Sequence, residues 1–183
     1  MTMLCLALAF LCVAPGEPLP AQAPAASAAA VQKLGVLPHD EVEKLMPGAV
    51  FFRGQSAPLQ MRNAAGVRFP GGGLLLTGLV DTSGYASEVQ ERYQAYLLLD
   101  TTAIVAGHRL LPGAYGIGFI KPSEFVVMDL SGTDLFVAES YRDDALRRPT
   151  PLQILVPNGA KGEYRIYAGR TFVTISKANQ LGV

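Results

Sequence analysis

Residues 114–130, AYGIGFIKPSEFVVMDL, are two apolar runs separated by one short turn. In Ala114–Ile120, aromatic and aliphatic side chains alternate with alanine and glycine, a period of two that is typical of a β-strand with two different faces. Glu124–Leu130 is a second apolar run, and Lys121-Pro122-Ser123 between the two contains the proline typical of a turn. The segment therefore predicts two β-strands.

The same pattern extends in both directions from this segment. Short β-branched, aromatic and aliphatic runs alternate with glycine, proline or asparagine from residue 49 onward. The predicted strands are residues 49–53, 59–62, 67–69, 74–81, 93–100, 104–106, 114–120, 124–130, 135–140, 152–156, 163–167 and 171–176. Because no strand alternates with a long helix, we expect an all-β fold, an antiparallel β-sandwich or a jelly roll, in one domain spanning residues 38–183.

Helical patterns are short. Pro38–Met46 has proline and acidic residues in its first turn and apolar residues on one side, and it predicts a short helix before the strands. Ser87-Glu88-Val89-Gln90 fits a capping box that would begin a helical turn, but the alternation after Val89 also fits one long strand. Asp143–Arg148 has acid–arginine pairs at i,i+4 spacing and predicts an exposed helical turn.

The N-terminal residues have the apolar core of an export signal but lack its positively charged start, and an uncleaved N-terminal anchor is the alternative interpretation. Met3–Ala14 is an apolar run long enough for the core of a signal peptide and too short for a transmembrane helix. We expect a signal peptide at residues 1–25 and an Ala-rich linker at 26–37, which predicts a periplasmic or secreted protein with no membrane span in the mature chain. Both cysteines, Cys5 and Cys12, fall within the leader, so the mature chain has no thiol for a disulfide or a metal.

Composition excludes several classes of protein. Half of the 183 residues are apolar and 16% are charged, which excludes a disordered chain. The 15 basic and 15 acidic residues balance, so we expect no nucleic-acid partner. The two histidines, His39 and His108, do not have the close spacing of a zinc site, and we expect neither a metal site nor a cofactor.

One short motif offers a catalytic alternative. Leu79-Val80-Asp81-Thr82-Ser83-Gly84, an apolar strand followed by Asp-Thr, resembles the active-site segment of retropepsin-type aspartic proteases. That resemblance implies a hydrolase in which Asp81 of two chains shares a proton. The motif departs from the family at Ser83, where the family has a glycine that permits the tight turn. The alternative interpretation is a strand-end aspartate that accepts hydrogen bonds from nearby backbone amides.

A second motif indicates lineage and a candidate binding face. Leu111-Pro112-Gly113-Ala114-Tyr115 leads into a strand and resembles a hairpin of transthyretin-like modules and, more closely, of a family of exported bacterial proteins known only as a domain of unknown function. The resemblance implies a β-sandwich and export, and no catalytic residues. On the following strand, Gly116 and Gly118 share one face, where a ligand or another backbone can approach closely.

These features predict a binding or interaction module rather than an enzyme. Its partner is expected to be a protein or a small neutral ligand. The candidate ligand-binding residues are Gly116, Gly118, Tyr93 and Tyr96, with tight packing as the structural alternative for the glycines. A structural envelope protein that assembles through exposed strand edges is a further alternative.

Overall fold

The structure, a computed structural model, describes residues 34–157 and 162–178. The predicted signal peptide and the Ala-rich part of the predicted linker lie outside the described residues. The last residues of that linker, Gly35–Val36, pair with a strand of the larger sheet, and Leu37 is buried. The folded domain therefore includes residues on the N-terminal side of Pro38.

Short strands and two short helices make up the domain. In chain order they are β1 (Gly35–Val36), α1 (His39–Leu45), β2 (Ala49–Phe52), β3 (Gln55–Arg68), β4 (Leu74–Val80), α2 (Ser87–Arg92), β5 (Ala95–Leu99), β6 (Ala103–Val105), β7 (His108–Leu110), β8 (Gly113–Ile120), β9 (Glu124–Met128), β10 (Asp134–Glu139), β11 (Tyr141–Arg142), β12 (Gln153–Leu155), β13 (Glu163–Ala168) and β14 (Thr171–Lys177).

The strands form two sheets in which every pairing is antiparallel. The larger sheet has the order β1-β3-β4-β5-β8-β9-β10, with β2 pairing separately with β3. The smaller sheet has the order β12-β13-β14-β6-β7, with β11 pairing with β14. The predicted all-β sandwich with a short helix is confirmed.

Both faces of the larger sheet are buried, and each face belongs to a different core. One face packs against the smaller sheet, where Leu97 and Ile117 share a cluster with Ile166 and Ile175. The neighbouring side chains in these strands point to the other face, because side chains alternate along a strand. Burial on both faces explains why the central strands contain so few charged residues.

The second core, which we call the outer core, lies between the larger sheet and a cover made by α1, the β2–β3 hairpin and α2. Val42 of α1 is fully buried in this outer core, together with Phe52 of β2 and Leu76 and Val126 of the sheet. The apolar residues of Pro38–Met46 therefore pack against the sheet. A helix this short is stable only through such contacts.

Several local structures differ from those predicted: the strands β1, β7 and β11 are not predicted at all, and three other segments differ in form. The predicted strands 59–62 and 67–69 belong to one long β3, whose pairing with β4 shifts register between Gln60 and Ala64. The chain after Ser87 takes the helical alternative and forms α2, so β5 begins at Ala95 rather than at Tyr93. The segment predicted as a helical turn, 143–148, is a loop with a single turn hydrogen bond, from the Leu146 amide to the Asp143 carbonyl at 3.5 Å. The carbonyls of Asp144 and Leu146 accept hydrogen bonds from the Arg170 guanidinium.

The close packing of α2 on β8 predicts that Gly118→Ala is strongly destabilising. A methyl group at Gly118 would overlap the carbonyl oxygen of Arg92, a backbone atom that cannot move without displacing α2. We expect a loss of about 1–3 kcal/mol or more in the free energy of unfolding, measured by urea denaturation. The matched control is Gly84→Ala, where no atom lies within 4 Å of the added carbon. Equal stability of the two variants would contradict the packing described.

Candidate functional site

A cleft of about 180 Å³ opens beside α2. Its walls are α2, the turn between β2 and β3, and the loop between β9 and β10, and its floor is formed by side chains of the outer core. The cleft combines aromatic and apolar surface with charged groups and hydroxyls at the rim. That combination is typical of sites for small molecules.

The floor is a pair of stacked rings that depends on one glycine. The rings of Phe52 and Tyr93 lie 3.8 Å apart at 15°, and Tyr85 meets Tyr93 edge-on at 5.9 Å. A methyl group at Gly116 would lie 2.9 Å from an atom of each stacked ring. Gly116 therefore leaves the space in which the two rings lie on the sheet.

Tyr93 carries a buried hydroxyl that has no hydrogen-bond partner among the described residues. The neighbouring Tyr85 hydroxyl, in contrast, lies 3.1 Å from the carbonyl oxygens of both Phe52 and Gln55 and can donate to either. Burial raises the pKa of Tyr93 far above its usual value, so this group is a neutral phenol over the whole physiological range.

The β2–β3 turn supplies a cation to the rim. Arg53 and Gly54 both have positive φ, 50° and 78°, which is the geometry of a type I′ turn. The Arg53 amide donates to the carbonyl of Leu130 at 2.8 Å, and its side chain lies across Gly132, where an added carbon would be 2.8 Å from Cδ. Arg53 makes no ion pair with another residue in the described part of the chain.

The β9–β10 loop is held by one carboxylate. Oδ1 of Asp129 accepts hydrogen bonds from the amides of Ser131 and Thr133, both at 2.9 Å, and from the Ser131 hydroxyl at 2.6 Å. These hydrogen bonds, the Ser131 hydroxyl first, lower the pKa of Asp129 below its ordinary value. Both Ser131 and Thr133 line the cleft, so the carboxylate fixes two hydroxyl-bearing residues at its rim.

α2 completes the rim with charges of both signs. Arg92 forms an ion pair with Asp134, and Glu88 lines the cleft one turn earlier on the helix. The predicted capping box is not formed, since the residue that caps α2 is Ala86, without a side-chain hydrogen bond, and Gln90 donates to the carbonyl of Tyr85 at 2.7 Å. The two arginines and two acids around the cleft balance in formal charge.

The four predicted ligand-binding residues lie in or under the outer core. Tyr93 forms the cleft floor, and Gly116 lies beneath its ring. Gly118 lies directly under the Arg92 carbonyl, so the backbone that approaches it closely is the chain's own. Tyr96 is 8% exposed in the same core but does not line the cleft. The structure thus places one predicted residue, the buried Tyr93, in the lining of the cleft.

Asp81 lies outside this cleft, in an exposed turn. Its Oδ1 accepts the amide of Ser83 at 3.1 Å, and hydrogen bonds from Ser83 lower the pKa of Asp81. This geometry is that of an Asx-type turn, the alternative to the protease-like interpretation.

The sequence did not single out Arg53, Glu88 or the Ser131 and Thr133 hydroxyls. The available signals were the Arg53-Gly54 dipeptide between two apolar runs and the polar Asp129–Thr133 stretch, both of which are typical of turns. Neither signal shows that the two turns meet, because that depends on the pairing of β2 with β3 and on the position of β9 in the sheet.

The lowered pKa of Asp129 predicts an acid-dependent contribution to stability. A carboxylate whose pKa is depressed by folding stabilises the protein above its unfolded pKa of about 3.8, and this contribution is lost as the pH falls through the folded value. We expect Asp129→Asn to be less stable than the parent chain at pH 7, and the difference to shrink below about pH 3.8. The midpoints of urea unfolding of both chains at pH 7, 4 and 2.5 measure this difference in stability.

The control is Asp40→Asn, which changes an exposed carboxylate 3.9 Å from Lys44 on α1 and should alter the midpoint little at any of these pH values. A constant difference between parent and Asp129→Asn from pH 7 to 2.5 would contradict the role assigned to the carboxylate.

Comparison with known proteins adds no family to these observations. No protein-family model matches the sequence, and no curated protein or solved structure matches it. Within residues 34–157 and 162–178, no helix is both long and apolar enough to cross a membrane, and no group of three or more His, Cys, Asp or Glu side chains is placed to hold a metal ion.

Proposed function

We propose that the chain is a binding module, without cofactor or catalysis, that takes a small uncharged ligand with hydroxyl or amide groups in the cleft beside α2. The proposal includes export to the periplasm or the medium, which rests on the apolar run and small residues within positions 1–25. The observation that carries the binding function is that Tyr93 lines the cleft and that its buried hydroxyl has no hydrogen-bond partner among the described residues.

An unpartnered buried hydroxyl lowers stability. Leaving such a group without a hydrogen bond costs roughly 1–3 kcal/mol, and phenylalanine would fill the same space without that cost. Polar groups that reduce stability are typical of functional sites, where a ligand supplies the missing partner. Because the phenol stays neutral, it can donate a proton to a ligand oxygen or accept one from a ligand hydroxyl or amide.

The size and charge of the cleft define the ligand class. A cavity of about 150 Å³ accepts one benzene ring, so a cleft of about 180 Å³ accepts a single six-membered ring with substituents extending to the rim. The balance of Arg53 and Arg92 against Glu88 and Asp134 favours an uncharged ligand over an ionic one. Ser131 and Thr133 provide hydroxyls for its polar edge, and Phe52 and Met128 provide apolar surface for its face.

A thermal-shift screen with sugars of different charge tests this function. Glucose and N-acetylglucosamine are the neutral probes, and glucuronate is the anionic one. A ligand at 100 times its Kd adds about 2.7 kcal/mol, which raises the Tm of a domain this size by roughly 5–10 °C. We expect a shift with at least one neutral sugar and a smaller one with glucuronate. No shift with any of the three would overturn the proposed ligand class.

The variant Tyr93→Phe tests whether the thermal shift comes from a sugar bound in the cleft. We expect this variant to be more stable than the parent, because the unpartnered hydroxyl is gone, and to lose most of the shift with the neutral sugar. The control is Tyr96→Phe, in the same core but outside the cleft, which should keep the shift. A Tyr93→Phe variant that is less stable than the parent and still shows the full shift would contradict the role given to the hydroxyl.

Structural assembly through strand edges has one observation in its favour. β10 lies at an edge of the larger sheet, and its side chains Leu135 and Val137 are 47% and 48% exposed. The strand contains no lysine or proline, the residues that commonly protect such edges from pairing. If a second copy pairs there, light scattering of the concentrated chain will show a dimer that Val137→Lys makes monomeric. A monomer at high concentration would exclude this function.

A further inference from the structure

A second concave surface lies on the smaller sheet, away from α2. This groove has a volume of about 550 Å³, within the range of small-molecule sites. Its apolar wall consists of Leu146, Leu155 and Val156, and Arg165 and Tyr167 of β13 also line it. Arg147 lies at the exposed rim. The groove is therefore apolar on one side and cationic on the other.

Arg165 has no anionic partner among the described residues. Its guanidinium lies 4.2 Å above the ring of Phe172, and Nη1 is 3.5 Å from the hydroxyl of Tyr167, at the limit of a hydrogen bond. Its Nε is buried and makes no hydrogen bond within the described part of the chain. Because the arginine guanidinium is positively charged, this side chain places a cation in the lining of the groove.

Asp143, the acidic residue in the lining of the groove, already has hydrogen-bond partners within the chain. Oδ2 of Asp143 accepts the Tyr167 hydroxyl at 2.9 Å, and the Asp143 amide donates to the carbonyl of Arg170 at 2.9 Å. The Arg170 guanidinium in turn donates to the carbonyls of Asp144 and Leu146, at 2.9 and 2.6 Å. These bonds fix the loop and hold the carboxylate against Tyr167. Among the described residues that line the groove, Arg147 and Arg165 are opposed by Asp143 alone, which gives a net positive formal charge.

We propose that this groove binds a small organic monocarboxylate with an aliphatic body. The carboxylate lies against the positively charged Arg165 guanidinium, and Arg147 adds a second cation at the rim. The aliphatic body lies along Leu146, Leu155 and Val156, which removes apolar surface from water. Planar guanidinium groups match carboxylates in geometry, so the preference is for a carboxylate over an alcohol or an amine. The site is separate from the α2 cleft and takes a ligand of different charge.

Titrations of the purified chain with hexanoate, hexanol and hexylamine, followed by NMR chemical shifts and calorimetry, test the proposal. We expect saturable binding of hexanoate that perturbs Arg165, Tyr167 and Leu155, and weaker binding or none for the other two. Added salt should weaken the binding of hexanoate, since the interaction is ionic. Absence of saturable binding, or hexanol binding as tightly as hexanoate, would overturn the proposal.

Variants of Arg165 and Arg147 test whether these two arginines bind hexanoate. Arg165→Gln should raise the Kd for hexanoate at least about tenfold, because bonds to a charged group are lost. If Arg165→Gln does not fold, Arg147→Gln replaces it as the test, because Arg147 is exposed. We expect Arg147→Gln to raise the Kd for hexanoate several-fold. The control is Arg109→Gln, an exposed arginine on β7. A Kd for hexanoate that is unchanged in both Arg165→Gln and Arg147→Gln would refute the site.

The two proposals can fail independently. Tyr93→Phe should leave hexanoate binding unchanged, and Arg165→Gln should leave the thermal shift with a neutral sugar unchanged. Loss of hexanoate binding in Tyr93→Phe would show that hexanoate occupies the α2 cleft and would refute the groove as its site.

Discussion

The carbonyl oxygen of Arg92 lies so close to β8 that only a glycine fits beneath it at position 118. This contact fixes the end of α2 on the sheet and places the next residue, Tyr93, over Gly116. The Gln94 side chain then exchanges two hydrogen bonds with the backbone of Phe119, at 3.0 and 3.1 Å, and continues the pairing of the sheet. The stacked rings of Phe52 and Tyr93 and the wall of the cleft formed by α2 are thus positioned by this close approach of the two backbones.

A sheet with two buried faces also determines where a ligand can bind. The face toward the smaller sheet is filled by aliphatic and aromatic side chains, and the other face is covered by α1, the β2–β3 hairpin and α2. Concave surfaces therefore form where covering segments meet loops, as at Arg53, or on the outside of the smaller sheet, as at Arg165. The two surfaces differ in electrostatics, because acids balance the arginines at the first and leave an excess of positive charge at the second.

The fold class could be predicted because alternation is a local property, and it is clear in runs such as Tyr115–Phe119. β3 was divided in two because Asn63, Ala64 and Gly66 favour strands weakly, and only pairing with β4 makes that stretch a strand. Tyr93 is a candidate from the sequence because aromatic side chains on strands can add a binding surface. Its cleft could not be predicted, since Arg53 and Ser131 are far apart in sequence and meet only through strand order, which no local pattern encodes.

The two cores also differ in when they can form. Every buried residue of the outer core lies between Leu37 and Met128, whereas the core between the sheets needs Ile154, Ile166 and Val173 from the C-terminal strands. A chain delivered N-terminus first can thus complete the larger sheet and its cover while the opposite face, with Leu97 and Ile117, is still bare. During that interval the intermediate exposes a flat apolar surface to its neighbours, so aggregation competes with the arrival of the last strands.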